Sequence, residues 1–226
     1  LTTTDVLLAS LQNADSFFPS GGVSFSWGLE TLIADGSVRG AEQVDAYVEG
    51  QLRHRWAMCD RVALAAAVRA AGDILLLQVI DSELEAMTLA MELREGSKRA
   101  GASLLTVHER LGTTGAAQYR AAIRAGNARG HLPVVQGLLW CGAGLSESAV
   151  EAVSAHIFCV GMLGAALRLG SIGHIQGQET LLRMRPVIVA LLSVPPLPME
   201  EISACVPAAE IAAMRHEVQS ARLFAN

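Results

Sequence analysis

Six histidines, four cysteines and twenty-two carboxylates are the groups with which this 226-residue chain could do chemistry. Their spacing completes no catalytic or metal motif. His216-Glu217-Val-Gln-Ser220 begins like the zinc helix H-E-x-x-H and fails where Ser220 stands for the second histidine. His156 and Cys159 share a helix face, a spacing that could hold a metal. In so apolar a segment they read instead as a satisfied core histidine and a core cysteine. His54 and Cys59, five apart, do not share a face. Cys59, Cys141, Cys159 and Cys205 form no C-x-x-C pair and read as reduced core residues. A nucleophile elbow needs G-x-S-x-G, and neither Gly22-x-Ser24 nor Ser26-x-Gly28 completes it. The single lysine, Lys98, follows Gly96 and Ser97 but lacks the leading glycine of a phosphate loop. No catalytic residue and no metal ligand is assigned.

The elements that would carry these groups are helical. Val44, Val48, Leu52, Trp56, Cys59, Ala63 and Ala66 recur in steps of three and four, which traces one helix face to about Ala71. Ser82 and Glu85 make a capping box, predicting a helix start there and a run to about Arg110. That helix has a small face through Ala90, Leu93, Ser97 and Ala100. Its second stripe begins Leu84, Met87, Met91 and then turns charged at Arg94 and Lys98. Ser146 or Ser148 caps a helix over about Glu147–Leu169 that is apolar nearly all round, which predicts central burial. Gly161 and Gly164 on it would admit close neighbours, and Arg168 suits its C-terminal dipole. A helix over about Gln178–Ser193 carries Pro186, where a kink or break is expected. After Pro195, Pro196 and Pro198 a last short helix runs from Pro207 to about Gln219.

The stretch Pro19–Glu30 crowds three glycines and three serines. It reads as a constrained loop in which glycine allows positive φ and close approach, followed by a helix capped by Ser24 or Ser26. No convincing period-two strand and no internal repeat appears. The expected fold is all-α, a single-domain helical bundle of about eight to ten helices with a buried central helix. It spans residues 1–226, with a short tail over about 207–226.

Composition narrows the classes. Hydrophobic residues make up 51% and charged ones 17%, with mean hydropathy +0.37, against about 25% charged in ordinary domains. Disorder is excluded. Runs free of charged residues fall short of the ~20 apolar residues of a membrane span. No basic region leads an apolar run after Leu1, so no signal peptide is expected, and the missing Met implies a trimmed start. Net charge is −5 with no basic block, so nucleic acid has no electrostatic footprint here. The apolar surplus, with no chemistry to account for it, points to an interaction protein.

Five segments then carry a resemblance. Leu11-Gln-Asn-Ala-Asp-Ser-Phe-Phe-Pro19-Ser-Gly21-Gly22, continuing to Ser26-Trp-Gly28-Leu-Glu30, resembles the opening signature of UreF-type urease accessory proteins. Arg94-Glu-Gly-Ser-Lys98-Arg99-Ala-Gly101 is similar to the family's mid-chain basic motif. His131-Leu-Pro133-Val-Val-Gln-Gly137 resembles its H-x-P-V-V-x-G segment. Arg168-Leu, then Gly173, Gly177 and Gln178, resembles its R-L…G-x-x-x-G-Q turn. Ile211, Met214, His216-Glu217-Val-Gln219, then Arg222-Leu223-Phe224, resembles its tail. Departures fall at Val23 and Phe25, where the family has an aromatic and a histidine, and at Ser220-Ala221, where it has Tyr-Ser.

The resemblance implies an all-helical, cytoplasmic homodimer that is not an enzyme. It implies binding to a UreD/UreH-type partner, recruitment of the GTPase UreG and delivery of nickel to apo-urease. Nickel and GTP are handled by the wider complex, with neither membrane nor nucleic acid as partner. The loop residues Pro19, Gly21, Gly22, Ser26, Gly28 and Glu30 are expected to bind the partner. So are the tail residues His216, Glu217, Gln219, Arg222, Leu223 and Phe224, with Arg94, Lys98 and Arg99 as further contacts to an acidic surface. His131, Pro133, Gly161, Gly164, Arg168, Gly173, Gly177 and Gln178 are expected to be structural. Two rival classes remain: a helical small-molecule enzyme, which needs a pocket with convergent polar groups, and a helical regulator, which needs a basic recognition helix.

Overall fold

The computed structural model describes residues 2–19, 25–219 and 222–224. Gly21 and Gly22, together with Val23, Ser24, Ser220 and Ala221, lie outside the described residues. Among the described residues all regular structure is helical. The α segments are α1 (Thr3–Ala14), α2 (Leu29–Ala34), α3 (Gly40–Gln51), α4 (Arg61–Arg69), α5 (Ile74–Met87) and α6 (Met91–Arg110). They continue as α7 (Ala116–Arg124), α8 (Leu132–Gly142), α9 (Glu147–Arg168), α10 (His174–Leu192) and α11 (Pro207–His216). A π-helical stretch, Leu52–Asp60, fuses α3 to α4, so eleven segments make ten rods.

The predicted helix from Val44 to Ala71 is that fused rod, and its apolar face is buried as expected: Val44, Val48, Leu52, Trp56, Cys59 and Ala63 are all at or below 1% exposure. The wide turn brings Arg55, Trp56 and Asp60 inward together. α9 is the buried central helix. Ser146 caps it through a bond from Ala149 N, while Ser148 does not. Val150 and Val153 belong to one apolar cluster with Trp140, Tyr119 and Leu64. Ala155, Phe158 and Met162 belong to a second, with Trp56, Leu29 and Val48. Each large side chain so buried contributes about 1.5–3 kcal/mol. By length and hydropathy α9 could cross a membrane, yet 56% of its apolar window is buried inside the fold.

Several boundaries differ from expectation. The helix predicted from Ser82 to Arg110 is two, α5 and α6, because the chain is extended at Thr88 and again at Ala90. Ser82 sits within α5 and donates back to Gln78 O at 2.8 Å instead of capping; Asp73 caps, accepting from Leu75 N and Leu76 N. α10 starts at His174, with Gly173 N bonded to Gln176 Oε1, and runs through Pro186 unbroken. Pro186 is exposed, so the carbonyl it deprives of a donor is on the solvent side. α11 ends at His216. The N-cap of α2 is Gly28 at φ 83°, with no side-chain cap bond, and Ser24 lies outside the described residues.

Other corrections concern side chains. Among the described residues nothing packs closely on Gly161 or Gly164: a Cβ at either would meet nothing within 4 Å. The close approach is instead at Gly101, where a Cβ would lie 2.1 Å from Gly130 O. His156 is exposed and so not a core histidine, and Cys205 is exposed and Cys141 half-buried, leaving only Cys59 and Cys159 as core thiols.

Candidate partner-binding site

The mid-chain charges that interrupt an apolar stripe are explained by the break between α5 and α6. Arg94 Nη1 donates to Thr88 O at 2.7 Å and Leu89 O at 2.6 Å, carbonyls that the end of α5 leaves unpaired. Lys98 pairs with Glu95 at 2.8 Å and Glu85 at 3.3 Å. These two cations are thus engaged with the chain's own groups. Arg99 is exposed, with its guanidinium 5.4 Å from the centroid of Phe25. The Phe25 ring lies flush on α6, where a Cβ at Gly96 would stand 3.0 Å from it.

Glu85 leads on to the His131 segment. His131 is fully buried and its Nε2 faces Glu85 Oε2 at 2.6 Å. Burial pushes the His131 pKa below its usual value. The Glu85 carboxyl is also lowered: burial opposes this, but the hydrogen bonds from His131 and Lys98 prevail. Asp81, on the same face of α5, accepts from Gly130 N at 2.7 Å and His131 N at 3.0 Å, and Leu132 N donates to Ser97 Oγ at 3.1 Å. Together these tie the start of α8 to α5 and α6, with Pro133 in the first turn of α8 where its missing N–H costs nothing.

The tail closes over the same side of the molecule. α11 lays Ala209, Ala212, Ala213 and His216 on α2 and α6. Gly28 makes this contact possible, since a Cβ there would fall 2.6 Å from Ala209 O. His216 Nε2 faces Glu30 Oε2 at 2.9 Å and Nδ1 faces Glu92 Oε2 at 2.8 Å. Glu30 also accepts from Leu223 N at 2.7 Å and Phe224 N at 3.1 Å, and Arg222 Nη1 reaches Glu92 at 3.2 Å. Gln219 donates to Thr31 Oγ1 at 3.1 Å. Phe224 is buried beneath Arg168, whose guanidinium carbon is 4.1 Å from the ring centroid, a cation–π contact.

The predicted binding residues therefore divide. Glu30, Ser26, Gly28, His216 and Phe224 are buried within the chain. Pro19, Arg222 and Leu223 are exposed, and Glu217 and Gln219 are half-buried. Of the structural set, Gly173 caps α10, Gly177 is buried and Gln178 is exposed. Two contributors went unnoticed in the sequence. Glu92 lies just before the basic motif, at ordinary helical spacing, and nothing local marks it. The outer face of α11, with Ile211 and Met214 at 55% and 42% exposure, continues past the helix end to Val218 at 86%, an i, i+3, i+7 spacing in the sequence.

Beside this region lies a cavity of about 360 Å³. Phe25, Trp27, Phe158 and Ile157 wall it, Gly161 and Gly164 open onto it, and its polar lining includes Asp60 and Gln136 together with Asn13, Asp15 and Arg168. Burial pushes the Asp60 carboxyl up, against the pull of Arg55, whose Nε is 3.2 Å away. Among the described residues no three His, Cys, Asp or Glu side chains converge to hold a metal.

Four sequence segments far apart in the chain thus meet around α6, and Arg168 brings in a fifth. This matches what comparison with known proteins returns. The family model described as UreF matches residues 38–185. The chain belongs to the UreF family. Urease accessory protein UreF of Trichodesmium erythraeum (strain IMS101) is 35% identical, the alignment covering 97% of this chain and 96% of the relative. UreF of Paenarthrobacter aurescens (strain TC1) is 31% identical over 96% of each. UreF of Haemophilus influenzae (strain ATCC 51907 / DSM 11121 / KW20 / Rd) is 31% identical over 96% of this chain and 94% of its own. UreF proteins are accessory proteins and not catalysts. The matched body, 38–185, contains the α6 and α8 motifs and Arg168, and the alignments with the relatives extend over 96–97% of the chain.

Proposed function

We propose that this chain acts in urease maturation as a cytoplasmic scaffold of the nickel-delivery complex, joining a UreD/UreH-type partner to the GTPase UreG and so to apo-urease. It acts as one folding unit, tail included, and as a homodimer. Nickel and GTP are carried by other members of the assembly. The observation that carries this reading is near full-length similarity to urease accessory proteins from three different bacteria. The tail and the 19–30 loop are the partner-facing surface: Leu223 (61% exposed) and Val218 extend the outer stripe of α11, and Arg222 supplies a guanidinium fork beside it. Such exposed apolar groups rimmed by polar ones suit a protein interface.

The test is capture of a co-expressed UreD-type protein by the tagged chain. Deleting everything after Pro207 is expected to abolish capture, but it also uncovers Ala90 and Leu93, which pack on Ala213. Val218→Asp and Leu223→Asp are sharper, since both side chains face solvent. Each is expected to weaken capture at least tenfold with helicity by circular dichroism unchanged. Full capture by both variants overturns the assignment of the tail.

A further inference from the structure

The bridge formed by Glu30, His216 and Glu92 has more to do than fill space. Each of the three is less than a tenth exposed, and each comes from a different element: α2, the last turn of α11, and α6. Every hydrogen bond described for the two carboxylates comes from the tail: from the His216 ring, the Leu223 and Phe224 amides and the Arg222 guanidinium. The body therefore carries two buried carboxylates whose described hydrogen bonds are all supplied by the tail. With the tail seated, both are satisfied; with the tail lifted, both regain water. A half-seated tail leaves buried anionic oxygens without donors, the least favourable arrangement of the three. Two discrete states follow, with little between them.

We propose that this bridge is a lock for the C-terminal tail, with His216 as its positioning residue, and that the lock sets whether Leu223 and the outer face of α11 are held in one orientation for a partner. The imidazole is the side chain suited to the task. Its two ring nitrogens point in opposite directions, and each meets a carboxylate, at 2.8 Å on the Glu92 side and 2.9 Å on the Glu30 side. Glutamine carries both of its N–H donors on one atom and cannot span the two. The lock also explains why Glu30, within the glycine-rich loop motif, points inward. It is an internal receptor for the chain's own tail. The last part of the proposal rests on the partner reading given above; the lock itself does not.

The experiment is hydrogen–deuterium exchange on the full chain, comparing wild type with His216→Gln and with Glu30→Gln. Peptides covering residues 217–224 are expected to exchange at least tenfold faster in both variants, while α8 and α9 keep their protection. Trypsin cleavage after Arg222 is expected to quicken in step. Glu30→Gln attacks the bridge from the body side, so a folding failure of one variant leaves the other to decide. Unchanged exchange in folded variants, or loosening spread evenly through α8 and α9, overturns the lock, because a merely structural histidine would destabilise without regard to the tail. Capture of the UreD-type partner is measured on the same samples. A loosened tail with undiminished capture upholds the lock and overturns the partner reading. A loosened tail with weakened capture upholds both.

Discussion

Arg61 offers the clearest test of how this fold holds its tail-bearing end. The residue is 2% exposed and each of its three guanidinium nitrogens is hydrogen-bonded. Nε and Nη2 grip Glu151 at 3.0 and 3.2 Å, and Nη1 and Nη2 donate to Leu191 O and Val194 O, both at 2.9 Å. One guanidinium thereby joins α4, α9, the end of α10 and the chain leading to the proline connector. Replacing Arg61 by Met keeps the approximate bulk but strands the buried Glu151 carboxylate and two carbonyls. Removing one partner of such a pair costs about 3–5 kcal/mol, a large part of the ~5–15 kcal/mol that stabilises a domain. For a chain of this size each kcal/mol moves the midpoint by about 2–4 °C, so thermal melting followed by circular dichroism should fall by about 6–20 °C. The double variant Arg61→Met/Glu151→Met removes both charges and should recover more than half of that loss, since the penalty lies in the abandoned charge and not in the absent pair. A single variant that melts within about 2 °C of wild type, or a double variant worse than the single, would refute the reasoning.

Two further outcomes follow from buried titratable groups. His108, with Nε2 against Asn13 and Nδ1 against Thr113, is held by burial at a pKa of about 4, below the usual 6.5. The unfolded chain therefore binds the extra proton first. Stability should be full above pH 6.5 and fall as pH drops towards 4, with a slope of at most about 1.4 kcal/mol per pH unit. His108→Gln should flatten that slope in urea titrations at pH 7 and pH 5. Burial also pushes the thiols of Cys59 and Cys159 up to about 12. A thiol reagent at pH 8 should label exposed Cys205 first and leave Cys59 and Cys159 untouched until the protein unfolds; early labelling of either core thiol contradicts their burial.

The sequence was most legible where one physical force dominated. The apolar period from Val44 to Ala66 located a rod and its buried face, and the all-round apolarity of Glu147–Arg168 located the central helix. It was least legible where long-range contacts decide. A Ser-x-x-Glu pair cannot reveal that Ser82 lies inside a helix, because Asp73, nine residues earlier, caps it and the Thr88 turn ends it. Pro186 forecasts a broken helix only if the carbonyl it leaves without a donor is buried, and Leu182, four residues earlier, is exposed. Gly161 and Gly164 suggest tight packing, but small residues permit a cavity equally well, and a cavity is what they border. In the site, the loop, basic and tail motifs could each be found separately. That they converge, and that Glu92 joins them, depends on which face of α6 meets α11, which no local signal encodes.

The surplus of apolar residues divides into two parts with different meanings. One part is core: α9 alone serves both clusters, so a single helix consumes apolar surface on nearly every side. The other part stays on the outside in ordered stripes. Leu7, Leu8 and Leu11 lie on α1, Ile175, Leu182 and Val189 recur every seven residues along α10, and Ile211 and Met214 on α11 lead to Val218 just beyond it. Scattered surface apolar residues need no explanation, but repeated ones on helix faces do. Among these stripes α11 stands apart. Its inner face is fixed by the hydrogen bonds joining His216, Glu30 and Glu92 instead of by bulk, since the apolar residues packing there are alanines. Alanines bury little area, so the apolar contribution to seating is small and the polar bridge carries a correspondingly large share. A helix held in this way is well placed or released by a few hydrogen bonds, which is the property an adaptable binding segment needs and a purely structural one does not.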